Sequence, residues 1–105
     1  MIERKRKPTS PGEILQEEFL NPLGITQKVL AERLGCDIKV INRIVNGRTS
    51  LSATMALKLA AAFQTTPDFW LNAQKASDLY HAMQTVKKLP KSFSLTMAIP
   101  RLSRA

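Results

Sequence analysis

The stretch "CDIKVINRIVNGR", residues 36–48, threads Lys39, Asn42, Arg43, Asn46 and Arg48 through a run of aliphatic side chains. At about 100° per residue on a helix, Ile38, Lys39, Asn42, Arg43 and Asn46 fall within an arc of about 140°. Val40, Ile41 and Ile44 fall on the opposite side. The polar arc holds cations and amides and no acid, whereas an ordinary solvated face mixes signs. Such a donor-rich face suits phosphates and base edges. Arg and Lys match guanine O6 and N7, Asn matches adenine, and an apolar side chain can meet a thymine methyl. The chemistry it offers is noncovalent recognition of nucleic acid.

The elements that must carry this face are marked by capping signals. In "SPGEIL", Ser10 as N-cap, Pro11 at the first helical position and Glu13 at N3 form a capping box. The first helix is expected from about Pro11 to Leu20, burying Ile14, Leu15 and Phe19, with "NPLG" breaking it. Thr26 caps a second helix, "QKVLAERL", closed by Gly35. Asp37 caps the third, Ile38 to Val45, which ends at "NG". Ser52 caps the fourth, "ATMALKLAAAF", with Met55, Leu59 and Phe63 four residues apart. Thr66, with Pro67 at N1 and Asp68 near the positive helix end, opens a fifth that runs to about Gln84. The fold class is all-α, with five helices and short connections.

The second and third helices fit a helix-turn-helix. Ala31 permits close approach, Gly35 supplies the positive φ of the turn, and Ile41 and Ile44 point inward with Leu30 and Leu34. In such a unit the second helix of the pair enters the major groove N-terminus first, while the first crosses the backbone. Ile38 and Lys39 then lead into the groove, and Asn42 and Arg43 lie one turn deeper; these four are the candidate base contacts. Gln27, Asn46, Arg48 and Thr49 are the candidate phosphate contacts. Asp37 is a sound N-cap that nevertheless sets a carboxylate close to DNA.

Composition agrees with that chemistry. The 105 residues make one domain with room for small appendages. Sixteen Lys and Arg against eight Asp and Glu give a net charge of +8. The surplus lies in residues 26–50 and in the tail from residue 85, which has no acid. A basic surplus on a small domain points to a polyanion or an acidic surface. A lone Cys36 and a lone His81 build neither a disulfide nor a metal cluster. No metal or cofactor is expected, and without clustered acids or a Cys/His pair neither is an enzyme. No run approaches the ~18 apolar residues of a membrane span, so a cytoplasmic protein is expected.

The fifth helix carries a stripe of Phe69, Ala73, Ala76, Tyr80 and Met83, spaced by four and three. Phe69 and Trp70 are expected to pack on their own domain. The outer half, with Ala76, Leu79, Tyr80 and Met83, is the candidate homodimer interface. Two copies would present their recognition helices about 34 Å apart, or a multiple, on a pseudo-palindrome. Residues 1–9, with "RKRK", read as a flexible basic arm, residues 10–84 as the DNA-binding and dimerisation domain, and residues 85–105 as a basic tail. Within the tail "FSLTMAI", residues 93–99, alternates with period two between Pro90 and Pro100. It reads as a strand that needs a partner, or as a loose tail.

"SPGEILQEEFLNPLGITQKVLAERLG" and "INRIVNGRTSLSATMALKLAAAFQTTPDFWLNAQKASDL" together resemble the HigA/VapI-type antitoxins, phage-repressor-like helix-turn-helix proteins. The resemblance spans about residues 10–80, and "TPDFWLNAQ" is its most specific part. It implies a dimeric repressor of its own operon that binds operator DNA. It also implies a toxin partner, a HigB-like, RelE-class mRNA endonuclease. Relatives of this kind usually carry Ser or Thr where this chain has Asp37, and they vary at Lys39 and Asn42. The alternative is a stand-alone helix-turn-helix transcriptional regulator with no toxin.

Overall fold

The computed structural model describes residues 7–93. Helix α1 covers residues 11–23 and is not uniform. An α-helical turn, Pro11–Ile14, is followed by a wider π-helical stretch, Leu15–Leu20, and by Asn21–Leu23. Then come α2 (Gln27–Leu34), α3 (Ile38–Val45), α4 (Ala53–Phe63) and α5 (Pro67–Thr85). Among the described residues there is no strand. Five helices with short connections match the expectation from capping and periodicity. The alternating segment 93–99 lies outside the described residues except for Phe93, which is exposed. Of the arm, only residues 7–9 are described.

Each expected N-cap is in place. Ser10 Oγ accepts from the Glu13 N–H at 3.2 Å while Glu13 Oε1 accepts from the Ser10 N–H at 3.0 Å. Thr26, Asp37, Ser52 and Thr66 each accept a backbone N–H in the first turn of their helices. These contacts satisfy donors that a helix start leaves without partners.

The structure moves the end of α1 from Leu20 to Leu23, so "NPLG" ends the helix at its glycine and not at its start. The Asn21 N–H bonds Gln16 O, five residues back; the helix then closes with the Gly24 N–H on Asn21 O and the Ile25 N–H on Leu20 O. Pro22 has no N–H to give, and its ring crowds the carbonyl four residues earlier in a regular α-helix. The wider turn accommodates it, and the helix continues to Leu23 before Gly24 turns the chain. Ile14 and Phe19 are half-buried, not buried; Leu15 and Leu20 fill the core on that face.

The core joins Leu15 and Leu20 of α1, Leu30, Ala31 and Leu34 of α2, and Ile41 and Ile44 of α3. Leu51, four residues of α4 and Trp70 of α5 complete it. Trp70 is fully buried, and its indole N–H donates to Thr65 Oγ1 at 2.8 Å, so its one polar group is satisfied. Phe19 lies against Phe63 and Trp70, with ring centroids 4.8 and 5.3 Å apart. Phe69 meets Trp70 edge-on at 5.1 Å yet stays partly exposed. Helix α3 is held from both sides, by α2 and by the first turn of α1. At that second contact a Cβ on Gly12 would lie 2.0 Å from Ile44 O and 2.8 Å from Val45 O. Only a glycine lets the two backbones meet so closely.

Candidate nucleic-acid interface

Helix α3 divides as its sequence demands. Ile41 and Ile44 are buried and Val40 is half-buried, which anchors one side. Lys39, Asn42 and Arg43 are exposed, and Ile38 remains 44% exposed although it is a large aliphatic residue. The four candidate base contacts therefore share one open face. Asp37 Oδ1 accepts from the Lys39 N–H at 2.8 Å, so the carboxylate is engaged as the cap of α3.

The turn between α2 and α3 has the geometry expected of Gly35, whose φ is 72°. The Cys36 N–H bonds Ala31 O, and the Gly35 N–H bonds Glu32 O, closing α2 with its last carbonyls paired. A matching closure ends α3. There Gly47 takes a φ of 69°, the Gly47 N–H bonds Ile44 O and the Arg48 N–H bonds Arg43 O at 2.8 Å. This second closure fixes where Arg48 and Thr49 leave the helix. Both are exposed beside the C-terminal end of α3.

Gln27, at the start of α2, is half-buried, and its amide is engaged on both sides. Its Oε1 accepts from Asn42 Nδ2 at 3.3 Å, and its Nε2 donates to Gln16 Oε1 at 3.5 Å. Asn46 Nδ2 donates to Asn42 Oδ1 at 3.2 Å. Three of the candidate contacts are thus tied to one another, and each amide keeps a further donor and acceptor free. Lys39, Arg43, Arg48 and Thr49 stand outside this set.

Three residues that position this face have no role assigned to them by the local sequence pattern. Gly12 brings α1 against the end of α3. Gln74 of α5 accepts the Leu51 N–H on Oε1 at 2.8 Å and donates Nε2 to Asp78 at 2.9 Å. It thereby ties the loop carrying Arg48 and Thr49 to α5. The third is Gln16. "TPDFWLNAQ" marks Gln74 as distinctive without giving it a job. Lys7, at the root of the basic arm, lines a cleft together with Arg48, Thr49, Gln74 and His81. Among the described residues no group of three or more His, Cys, Asp or Glu is placed to hold a metal ion. No described helix is long and apolar enough to cross a membrane.

Comparison with known proteins agrees with this geometry. A family model described as helix-turn-helix matches residues 17–70. The chain is 50% identical over 80 residues to antitoxin HigA-1 of Vibrio cholerae serotype O1, covering 76% of this chain and 75% of that protein. The chain belongs to the HigA-type helix-turn-helix family. Among solved structures it is similar to antitoxin GraA, with a TM-score of 0.74 and 41% identity, covering 80% of this chain and 99% of that one. It is also similar to the Pseudomonas aeruginosa antitoxin HigA solved with the higBA promoter. That match has a TM-score of 0.73 and 33% identity, covering 82% and 99% of the two chains. HigA-type proteins are DNA-binding regulators and antitoxins, not enzymes.

Proposed function

We propose that this protein is the antitoxin of a type II toxin–antitoxin module. It binds operator DNA as a dimer to repress its own operon, and it neutralises a HigB-like, RelE-class mRNA endonuclease. The observation that carries the reading is the α3 face. Lys39, Asn42 and Arg43 are exposed there with no acid among them, on a helix held rigidly from behind. The P. aeruginosa relative, of the same fold, was solved with promoter DNA.

In this reading α3 enters the major groove. Ile38 meets a thymine methyl, and Lys39, Asn42 and Arg43 read base edges. Gln27 at the start of α2, with Asn46, Arg48 and Thr49 after α3, grips the phosphates on either side of the groove. Residues 10–84 form the DNA-binding and dimerisation domain. Residues 1–9 are a basic arm that adds phosphate contacts, its Lys7 lining the same cleft as Arg48, and residues 85–105 are a basic tail. The dimer forms through the outer half of α5. Leu79 and Met83 are 55% and 57% exposed there, with Ala76 and Tyr80 half-buried beside them. An uncovered apolar row of that kind calls for a partner.

The test is co-expression with the reading frame beside the gene, followed by pull-down. A small basic protein that co-purifies, and whose toxicity this chain relieves, supports the antitoxin. Operator binding with no such partner assigns the chain as a stand-alone regulator.

A further inference from the structure

The amides of α3 belong to a longer chain of hydrogen bonds that ends on a carboxylate in α1. From Asn46 to Asn42, to Gln27, to Gln16, each side-chain nitrogen donates to the next side-chain oxygen. Gln16 Nε2 then donates to Asn21 Oδ1 at 2.6 Å, and Asn21 Nδ2 donates to Glu17 Oε1 at 3.3 Å. Every link runs in the same direction. A carboxylate can only accept, so Asn21 must turn its nitrogen to Glu17 and its oxygen to Gln16. The same choice then passes to Gln16, Gln27 and Asn42. Reversing Asn42, Gln27, Gln16 or Asn21 alone would face nitrogen to nitrogen on one side and oxygen to oxygen on the other.

The chain exists because α1 is π-helical here. On a regular α-helix, residues five apart sit about 140° from each other around the axis, and their side chains do not meet. The bond from the Asn21 N–H to Gln16 O widens the turn and brings those two side chains together. A π-turn beside a functional surface is a recurrent association.

We propose that Glu17, Asn21, Gln16 and Gln27 act as positioning residues that fix the sense of the Asn42 amide, and so decide on which strand this protein reads an adenine. The proposal rests on the assignment of α3 as the base-reading helix. Asn42 has one N–H committed to Gln27 and one oxygen lone pair committed to Asn46, leaving one of each for a base. Across the major groove an A·T pair presents N7 as acceptor, then N6 as donor. A T·A pair presents them in the opposite order. An amide pinned in one sense fits one order, and an amide free to reverse fits both.

The test begins with selection of preferred duplexes from a randomised pool by the full chain. The step read by Asn42 is the one whose preference Asn42→Ala abolishes. Affinities are then measured on two duplexes that differ only by exchanging A·T for T·A at that step. The readout is their ratio, in which changes of net charge or of active fraction cancel. Gln16→Glu keeps the acceptor that Gln27 needs and is expected to retain the wild-type ratio. Gln16→Leu cuts the chain and is expected to lower the ratio by about fivefold. Gln16→Lys offers donors only and is expected to lower it at least as far. Wild-type ratios in both Gln16→Leu and Gln16→Lys, with Asn42→Ala still abolishing the preference, overturn the proposal alone. If Asn42→Ala changes no step, the base-reading role of Asn42 has failed, and the proposal is overturned through it.

Discussion

Helix α3 and the outer half of α5 are both amphipathic, yet the fold treats them in opposite ways. Helix α3 is buttressed throughout. Ile41 and Ile44 sit in the core, Gly12 brings α1 onto its C-terminal carbonyls, Asp37 caps its start, and its amides are tied back to α2 and α1. Apart from Ile38, what it exposes is polar. The outer half of α5 exposes an apolar row, Leu79 and Met83, beside the exposed polar side chains of Asp78 and His81. A surface that reads bases must hold its side chains in place before binding, because ordering them on binding would weaken affinity. A surface that dimerises can wait for its partner to bury it.

That contrast can be broken at either end. The largest expected effect is Gly12→Ala, whose Cβ would meet Ile44 O at 2.0 Å. It should cost about 3 kcal/mol of stability in denaturant unfolding by forcing α1 off α3. A midpoint like the wild type's would mean the two helices separate freely. At the other end, Leu79→Asp with Met83→Asp should raise the dimer dissociation constant by well over tenfold, at about 1 kcal/mol of weakened association per residue. Sedimentation measures this, and dimerisation of undiminished strength would move the interface elsewhere. Gln74→Leu leaves the Leu51 N–H without its acceptor. It should cost about 1–2 kcal/mol of stability and weaken DNA binding through the Arg48 and Thr49 loop. The smallest effect belongs to the arm. Deleting residues 1–7 should reduce the slope of log affinity against log salt by about one for each phosphate that the arm neutralises. An unchanged slope would separate the arm from DNA.

Most of the fold is legible in the sequence because it depends on local chemistry. Ser10, Thr26, Asp37, Ser52 and Thr66 announce five helix starts, and each holds its expected backbone N–H. The two faces of α3 follow from a period that a regular helix obeys. The first helix departs from that period. Pro22 reads as a stop, whereas a change of hydrogen-bond register lets the helix run on to Leu23. The same departure hides Gln16 and Asn21 from the candidate site, because residues five apart are not neighbours on the helix that periodicity assumes. Gln74 and Gly12 are hidden for another reason. Their contacts lie 23 and 32 residues away along the chain, at Leu51 and Ile44, and no local pattern carries them.

Whether the polar face of α3 reads DNA can be settled on the DNA itself. The most direct test is a titration of Lys39→Ala, Arg43→Ala and wild type against the DNA that precedes the gene, at fixed salt, with a scrambled duplex beside it. Each substitution should weaken specific binding by ~1–3 kcal/mol and narrow the margin over the scrambled duplex. If both variants bind the specific duplex as wild type does, with the same margin, α3 is not the reading helix.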